Sequence, residues 1–101
     1  MSANKALHEA IFEGFSLLGS ATKKALEEQL DLEGLDIAEE PIDARLLCAK
    51  LNDVFGAGSE PLIRIIYQKF VDKLEAKQRI KFPAGTPVAE CILKTLEKRR
   101  A

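Results

Sequence analysis

Apolar residues recur every three or four positions along most of this chain, and nowhere do they alternate with polar ones in the rhythm of a half-buried strand. The pattern predicts helices throughout. A first helix is expected over residues 2–18 with Ser2 as its cap; Leu7, Ala10, Ile11, Phe15, Leu17 and Leu18 fall on one half of its cylinder, and Phe12 falls outside that half. Gly19 and Ser20 interrupt the pattern, and Ser20 is placed to cap a second helix over 21–30 whose inward side is Ala21, Ala25, Leu26 and Leu30. One kinked rod is the other reading of these two segments. Residues 31–40 are acidic, contain Gly34 and lack a helical stripe, so they form the longest internal connection, with Leu35 and Ile37 tucked inward as anchors.

Pro41 suits the first turn of a third helix, where its missing N–H has no intrahelical partner, and that helix is expected to run to Phe55. Leu47, Leu51, Val54 and Phe55 share a side with Ala44 and Cys48, whereas Ile42, Leu46 and Ala49 lie on another. Gly56-Ala57-Gly58-Ser59 then supplies a left-handed exit and a cap, so a fourth helix begins at Ser59 or Glu60 with Pro61 in its first turn. Its apolar residues, from Leu62 and Ile63 through Ile65, Ile66 and Tyr67 to Phe70, Val71 and Leu74, spread over an arc of about 240°. One neighbour cannot cover such an arc. This helix is therefore expected at the centre of the bundle or against a second subunit. The chain breaks again over 80–85, and Thr86 with Pro87 opens a last helix over 87–99 whose apolar side is Val88, Ile92, Leu93 and Leu96.

The fold class that follows is all-α, a compact bundle of four to five helices in one domain over 1–101, with 82–101 as a candidate C-terminal helical extension. With 101 residues, 47% of them apolar, a core is feasible without disulfides or metal. No apolar run approaches the ~18 residues of a membrane span, and the first residues lack the layout of a secretory signal, so the expectation is a cytoplasmic protein with no membrane partner. Cys48 and Cys91 lie 43 positions apart in apolar surroundings and read as small core residues.

Catalytic chemistry finds little material. His8 is the one histidine, with no second histidine or cysteine near it in sequence, and reads as a boundary side chain. Neither cysteine has a local base. The acidic stretch fails the ligand spacing of a calcium loop, and the glycine corner after Phe55 follows a helix and has no lysine after its glycines, unlike a phosphate loop. No enzyme activity, metal or cofactor is expected. The corner also resembles a helix-turn-helix, but its second helix is too apolar to read base edges. A small-ligand pocket between helices has no convergent polar groups to mark it.

Charge changes the picture. Residues 1–60 carry five bases against twelve acids, and residues 61–101 carry ten bases against four acids. Such asymmetry favours charge-guided partner choice, although solvated helix ends and matching within the chain explain it as well. The bases gather at Lys77, Arg79 and Lys81 and again at Lys98, Arg99 and Arg100. The last three also complement the negative end of a helix dipole.

The order Leu18-Gly19, Lys24-Ala25 and Leu30, then Leu35, Ile37 and Pro41, then Leu47, Leu51, Phe55-Gly56-Ala57-Gly58 and Leu62 resembles a family of small archaeal helical modules, the Nitrosopumilus output domain family of the fifth type. The likeness covers about two-thirds of the chain, rests on apolar spacing and one glycine corner, and leaves the region after Arg79 outside. It implies a stand-alone or appended output module without an assigned reaction or catalytic residues.

The expectation is thus a non-catalytic module acting through protein–protein association as a homodimer, with Phe12, Leu46, Ile65 and Tyr67 as the candidate association surface. The alternative is nucleic-acid binding through Lys77, Arg79, Lys81, Lys98, Arg99 and Arg100.

Overall fold

A computed structural model describes residues 3–37 and 42–100, the last three of these by their backbone alone. Ser2 and Pro41, expected as a cap and a first-turn residue, lie outside the described residues. Five α-helices follow one another: α1 (Ala3–Ser16), α2 (Ser20–Leu32), α3 (Ala44–Phe55), α4 (Ser59–Lys73) and α5 (Val88–Arg100). Short 3-10 turns at Gly56–Gly58 and Ala76–Gln78 interrupt the connections on either side of α4, and no strand occurs among the described residues. The all-α bundle expected from the periodicity is the observed fold.

The helices start and stop for reasons that differ in detail from those the sequence suggested. α1 ends two residues early. The Ser16 hydroxyl donates to the Phe12 carbonyl at 2.8 Å, and the next amides tighten into three-residue bonds, Leu17 to Gly14 and Leu18 to Phe15, before Gly19 turns away at φ 89°. Leu17 is thereby carried off the apolar face and is 64% exposed. Ser20 is the first residue of α2 rather than its cap; the Gly19 carbonyl accepts from the Lys23 amide, and no side chain caps the helix. Ala21 and Ala25, expected inward, are exposed, and Leu26 and Leu30 alone carry the buried face of α2.

Past α2, Gly34 adopts φ 89° and the Leu35 amide reaches back to the Leu30 carbonyl at 2.9 Å. This six-to-one bond is the Schellman ending of a helix, and it folds the following apolar residue onto the last turn. Leu35 and Ile37 are both buried, as the anchor reading required. α3 begins at Ala44, where the Asp43 carboxylate accepts from the Leu46 amide at 3.0 Å; the expected start at Pro41 is three residues too early. Gly56 ends α3 in the left-handed region at φ 57° with its amide on the Asn52 carbonyl. Ser59 is again inside the helix and not its cap, and its buried hydroxyl donates to the Asn52 side chain at 3.4 Å. The Thr86 hydroxyl donates to the Pro83 carbonyl at 2.8 Å, and the first bond of α5 runs from the Cys91 amide to the Pro87 carbonyl.

α4 is the central helix, packed on α1, α3 and α5. Its fully buried residues, Ser59, Leu62, Ile63, Ile66 and Phe70, fall within an arc of about 100°, with Tyr67 and Val71 half-buried beyond it. The arc of 240° read from residue type is therefore too wide, because Ile65 stands on the solvent side. α1 comes close to α4 at Gly14, where a Cβ would lie 2.8 Å from Ile66 Cγ1. α5 lies against α3, α4 and α1, and Ile92 and Leu96 belong to the same core cluster as Leu7, Ile11 and Phe15. The segment expected as an extension thus covers the bundle of its own chain.

Candidate interaction surface

The four side chains expected to form an association surface do not stand exposed together. Phe12 is half-buried, its ring met edge-on by His8 with centroids 4.8 Å apart and an interplanar angle of 82°, while the Lys23 ammonium lies 5.3 Å from the ring centre. Leu46 is half-buried against the core. Tyr67 is also half-buried there, within electrostatic reach of Cys91 on α5; burial, with Cys91 adding to it, holds its hydroxyl pKa above the usual value. Only Ile65, 39% exposed, presents its side chain to water. Periodicity gives a direction around one helix but not the number of neighbours that meet it, which is why Phe12, Leu46 and Tyr67 are partly covered by their own chain.

Two of the six bases are engaged by their own chain. Lys77 lies 3.5 Å from the Glu75 carboxylate, and Arg79 donates its Nε–H to the Leu74 carbonyl at 3.3 Å. Lys81 is exposed. The side chains of Lys98, Arg99 and Arg100 lie outside the described residues. Beneath the first cluster, Gln78 is buried and its side-chain oxygen accepts from the Glu75 amide at 2.8 Å, which fixes the turn that carries Lys77 and Arg79.

No family model, curated protein or solved structure matches this chain.

The exposed apolar groups that the sequence misplaced lie elsewhere. Val54 and Phe55, assigned to the same side as Leu47 and Leu51, are 42% and 37% exposed at the carboxyl end of α3. They and Leu26 line a groove of about 510 Å³ between α2 and α3, with Ala25, Glu33 and Asp53 also on its walls. The cause is the glycine corner. α3 stops at Gly56 and the chain turns into α4, so among the described residues no further helix lines the groove beside Val54 and Phe55. Across the groove the Lys50 ammonium meets the Glu33 carboxylate at 3.2 Å, and the Gln29 amide donates to the other oxygen of Glu33 at 3.3 Å. A different depression, of about 350 Å³, separates α3 from α5 and is lined by Ile42, Leu93 and Leu96 together with Asp43, Arg45 and Glu97.

The groups with chemical potential are arranged for packing. Burial pushes the Cys48 thiol up to about 11, and burial, with Glu90 adding to it, pushes the Cys91 thiol up as well, so neither is a thiolate at neutral pH. Lys73 pairs with Glu13 across the α1–α4 contact; that hydrogen bond, against a smaller opposing effect of desolvation, holds its ammonium pKa above the ordinary value. Among the described residues, no three His, Cys, Asp or Glu side chains converge as a metal would need, and no helix is long and apolar enough to cross a membrane. On the outward strip of α4, Arg64 pairs with Glu60 at 3.1 Å, with both side chains well exposed.

Proposed function

We propose that this protein is a non-catalytic helical module that acts by associating with other protein chains, in its simplest form as a pair of copies. The observation that carries the reading is the adjacent pair Val54 and Phe55, left exposed on the wall of a groove rather than scattered singly over the surface. Protonated thiols, a histidine ring packed on Phe12 and acids matched to lysines support a role without chemistry. The resemblance to the archaeal output-domain family implies an output module without an assigned reaction or catalytic residues, which is compatible with this role and supplies no site.

Support for the homodimer narrows to Ile65, since Phe12, Leu46 and Tyr67 are sheltered by their own chain. Light scattering with sedimentation, from micromolar to millimolar concentration, tests it. A mass rising from 11.2 kDa towards twice that value is expected, with Ile65→Ser weakening the pair about tenfold. A mass fixed at 11.2 kDa over the whole range overturns the homodimer. The nucleic-acid reading rests on Lys77, Arg79, Lys81, Lys98, Arg99 and Arg100, of which Lys77 and Arg79 already hold partners in the chain. It requires retention of DNA or RNA at low salt that falls steeply as salt is added.

A further inference from the structure

The groove between α2 and α3 combines an apolar wall with charge of one sign. Val54 and Phe55 form its exposed apolar side and Leu26 its buried one, while the charged residues on its lining are Glu33 and Asp53, with no Lys or Arg among them. Lys50, the base that reaches Glu33 from α3, is committed to that carboxylate. The carboxyl end of α3, which carries the negative end of the helix dipole, opens on the same groove, and α3 has no basic residue in its last turn. On the other flank of α2 a second depression holds Glu27, Glu28, Asp31 and Asp36 against one base, Lys24. The two depressions bordering α2 therefore carry six carboxylates, of which Glu33 is paired with Lys50 and Glu27 with Lys23, against one lining ammonium, Lys24. A field of that sign draws cationic segments and repels acidic ones.

We infer that this groove is the docking site for an amphipathic helix of a partner protein, one that inserts a bulky apolar side chain between Leu26 and Phe55 and flanks it with Lys or Arg. The apolar anchor removes Val54 and Phe55 from water, and the flanking cation meets Asp53 and the end of α3, supplying the positive charge that the last turn of α3 lacks. A volume of about 510 Å³ suits one or two large side chains of such a helix. The basic segment of a second copy is a poorer occupant. Arg79 and Lys81 flank Ile80 and Phe82, and both of these apolar side chains are already half-buried in their own chain. The inference rests on the association reading but not on the homodimer.

The test is a two-dimensional amide NMR titration of the full chain with two synthetic amphipathic helices of roughly 15 residues, sharing one Leu/Phe stripe and flanked either by Lys and Arg or by Glu. The basic probe is expected to shift amides of Thr22, Ala25, Gln29, Asp53 and Phe55, and to bind at least about tenfold more tightly than the acidic probe. Phe55→Ser and Asp53→Lys are each expected to weaken it about tenfold, Asp53→Lys on the exposed surface serving where Phe55→Ser disturbs the fold. Ile65→Ser should leave probe binding unchanged. Equal binding of both probes, shifts centred on another face, no binding up to about 1 mM, or indifference to Asp53→Lys overturns the inference. So does the same set of shifts appearing on concentration of the protein alone, which would make a second copy the occupant. Light scattering without peptide judges the homodimer separately, so the two readings fail independently.

Discussion

Alanine in place of Gly14 should destabilise this protein even though glycine is a poor helix residue. Gly14 lies inside α1, where Gly→Ala on an open surface gains about 1 kcal/mol of helix propensity. The added methyl, however, would sit 2.8 Å from Ile66 Cγ1, 3.7 Å from its Cδ1 and 3.9 Å from its Cα. Ile66 is 1% exposed, and Cγ1 is bonded directly to its branched Cβ, so the clash cannot be relieved by swinging a flexible tip. Overpacking of this kind costs about 1–3 kcal/mol, and the rigid neighbour places this case in the upper half of that range. The net loss is then about 1–2 kcal/mol, a fall in Tm of roughly 4–16 °C for a domain of this size. Gly58→Ala is the matched control. Gly58 has φ −70°, and its new Cβ would meet Phe55 Cβ at an ordinary 3.9 Å, so it should stabilise by about 0.4–1 kcal/mol through the unfolded state. Calorimetry reads both, and a double-mutant cycle with Ile66→Ala completes the assay. Ile66→Ala alone costs about 2–5 kcal/mol, and the methyl introduced by Gly14→Ala should refill part of its cavity, giving a combined loss smaller than the sum by about 1 kcal/mol. If Gly14→Ala raises Tm as Gly58→Ala does, or if the two losses simply add, the close approach of α1 and α4 is not what holds Gly14 in place.

Two further perturbations test local features. Asp43→Ala removes the side-chain cap of α3 and should cost about 1 kcal/mol in urea unfolding, with Asp43→Asn retaining most of the stability because its amide oxygen can accept the same Leu46 bond. Cys48 should react with iodoacetamide as a group ionising near pH 11, not 9, as long as the chain is folded. Because the folded thiol holds its proton to higher pH than the unfolded one, its contribution to stability is complete below pH 9 and is lost between pH 9 and 11. The difference between wild type and Cys48→Ala in thermal melts should slope in that window and nowhere below it.

Much of this architecture was legible in the chain. The stripe Leu7, Ile11 and Phe15, the breaks at Gly19, Gly34 and Gly56, and the inward anchors Leu35 and Ile37 all stand where periodicity and glycine placed them. Caps were less legible. Ser20, Ser59 and Thr86 are good capping residue types, yet Ser20 and Ser59 sit one residue inside their helices and Thr86 bonds to a turn, because a cap is decided by the backbone angles of its position, with boundaries free to slide by a residue or two. Surface was least legible. Val54, Phe55 and Ile65 have the composition of a core, and what leaves them wet is where the next helix goes after the glycine corner, a tertiary fact absent from local pattern.

That tertiary fact also decides what kind of partner the surface selects. Apart from Ile65, the apolar excess of α4, which argued for a second subunit, is absorbed by α1, α3 and α5, and the absence of a side chain at Gly14 is what lets α1 come near enough to take its share. The charge asymmetry is not absorbed in the same way. Lys50 with Glu33 and Lys73 with Glu13 join separate helices, whereas Lys23 with Glu27, Arg64 with Glu60, Lys77 with Glu75 and Lys94 with Glu90 link neighbours along one segment. Lys50 takes up Glu33 on the groove wall and Lys23 takes up Glu27 on the far flank of α2, which leaves Asp53 as the acid beside Val54 and Phe55. Asp53 adjoins Val54 in the chain and lines the same groove, so its charge acts on whatever approaches Val54 and Phe55 with little screening at the Debye length of about 8 Å of physiological salt. In the proposed docking, the apolar wall supplies the contact area and Asp53 beside it sets the sign of charge the partner carries.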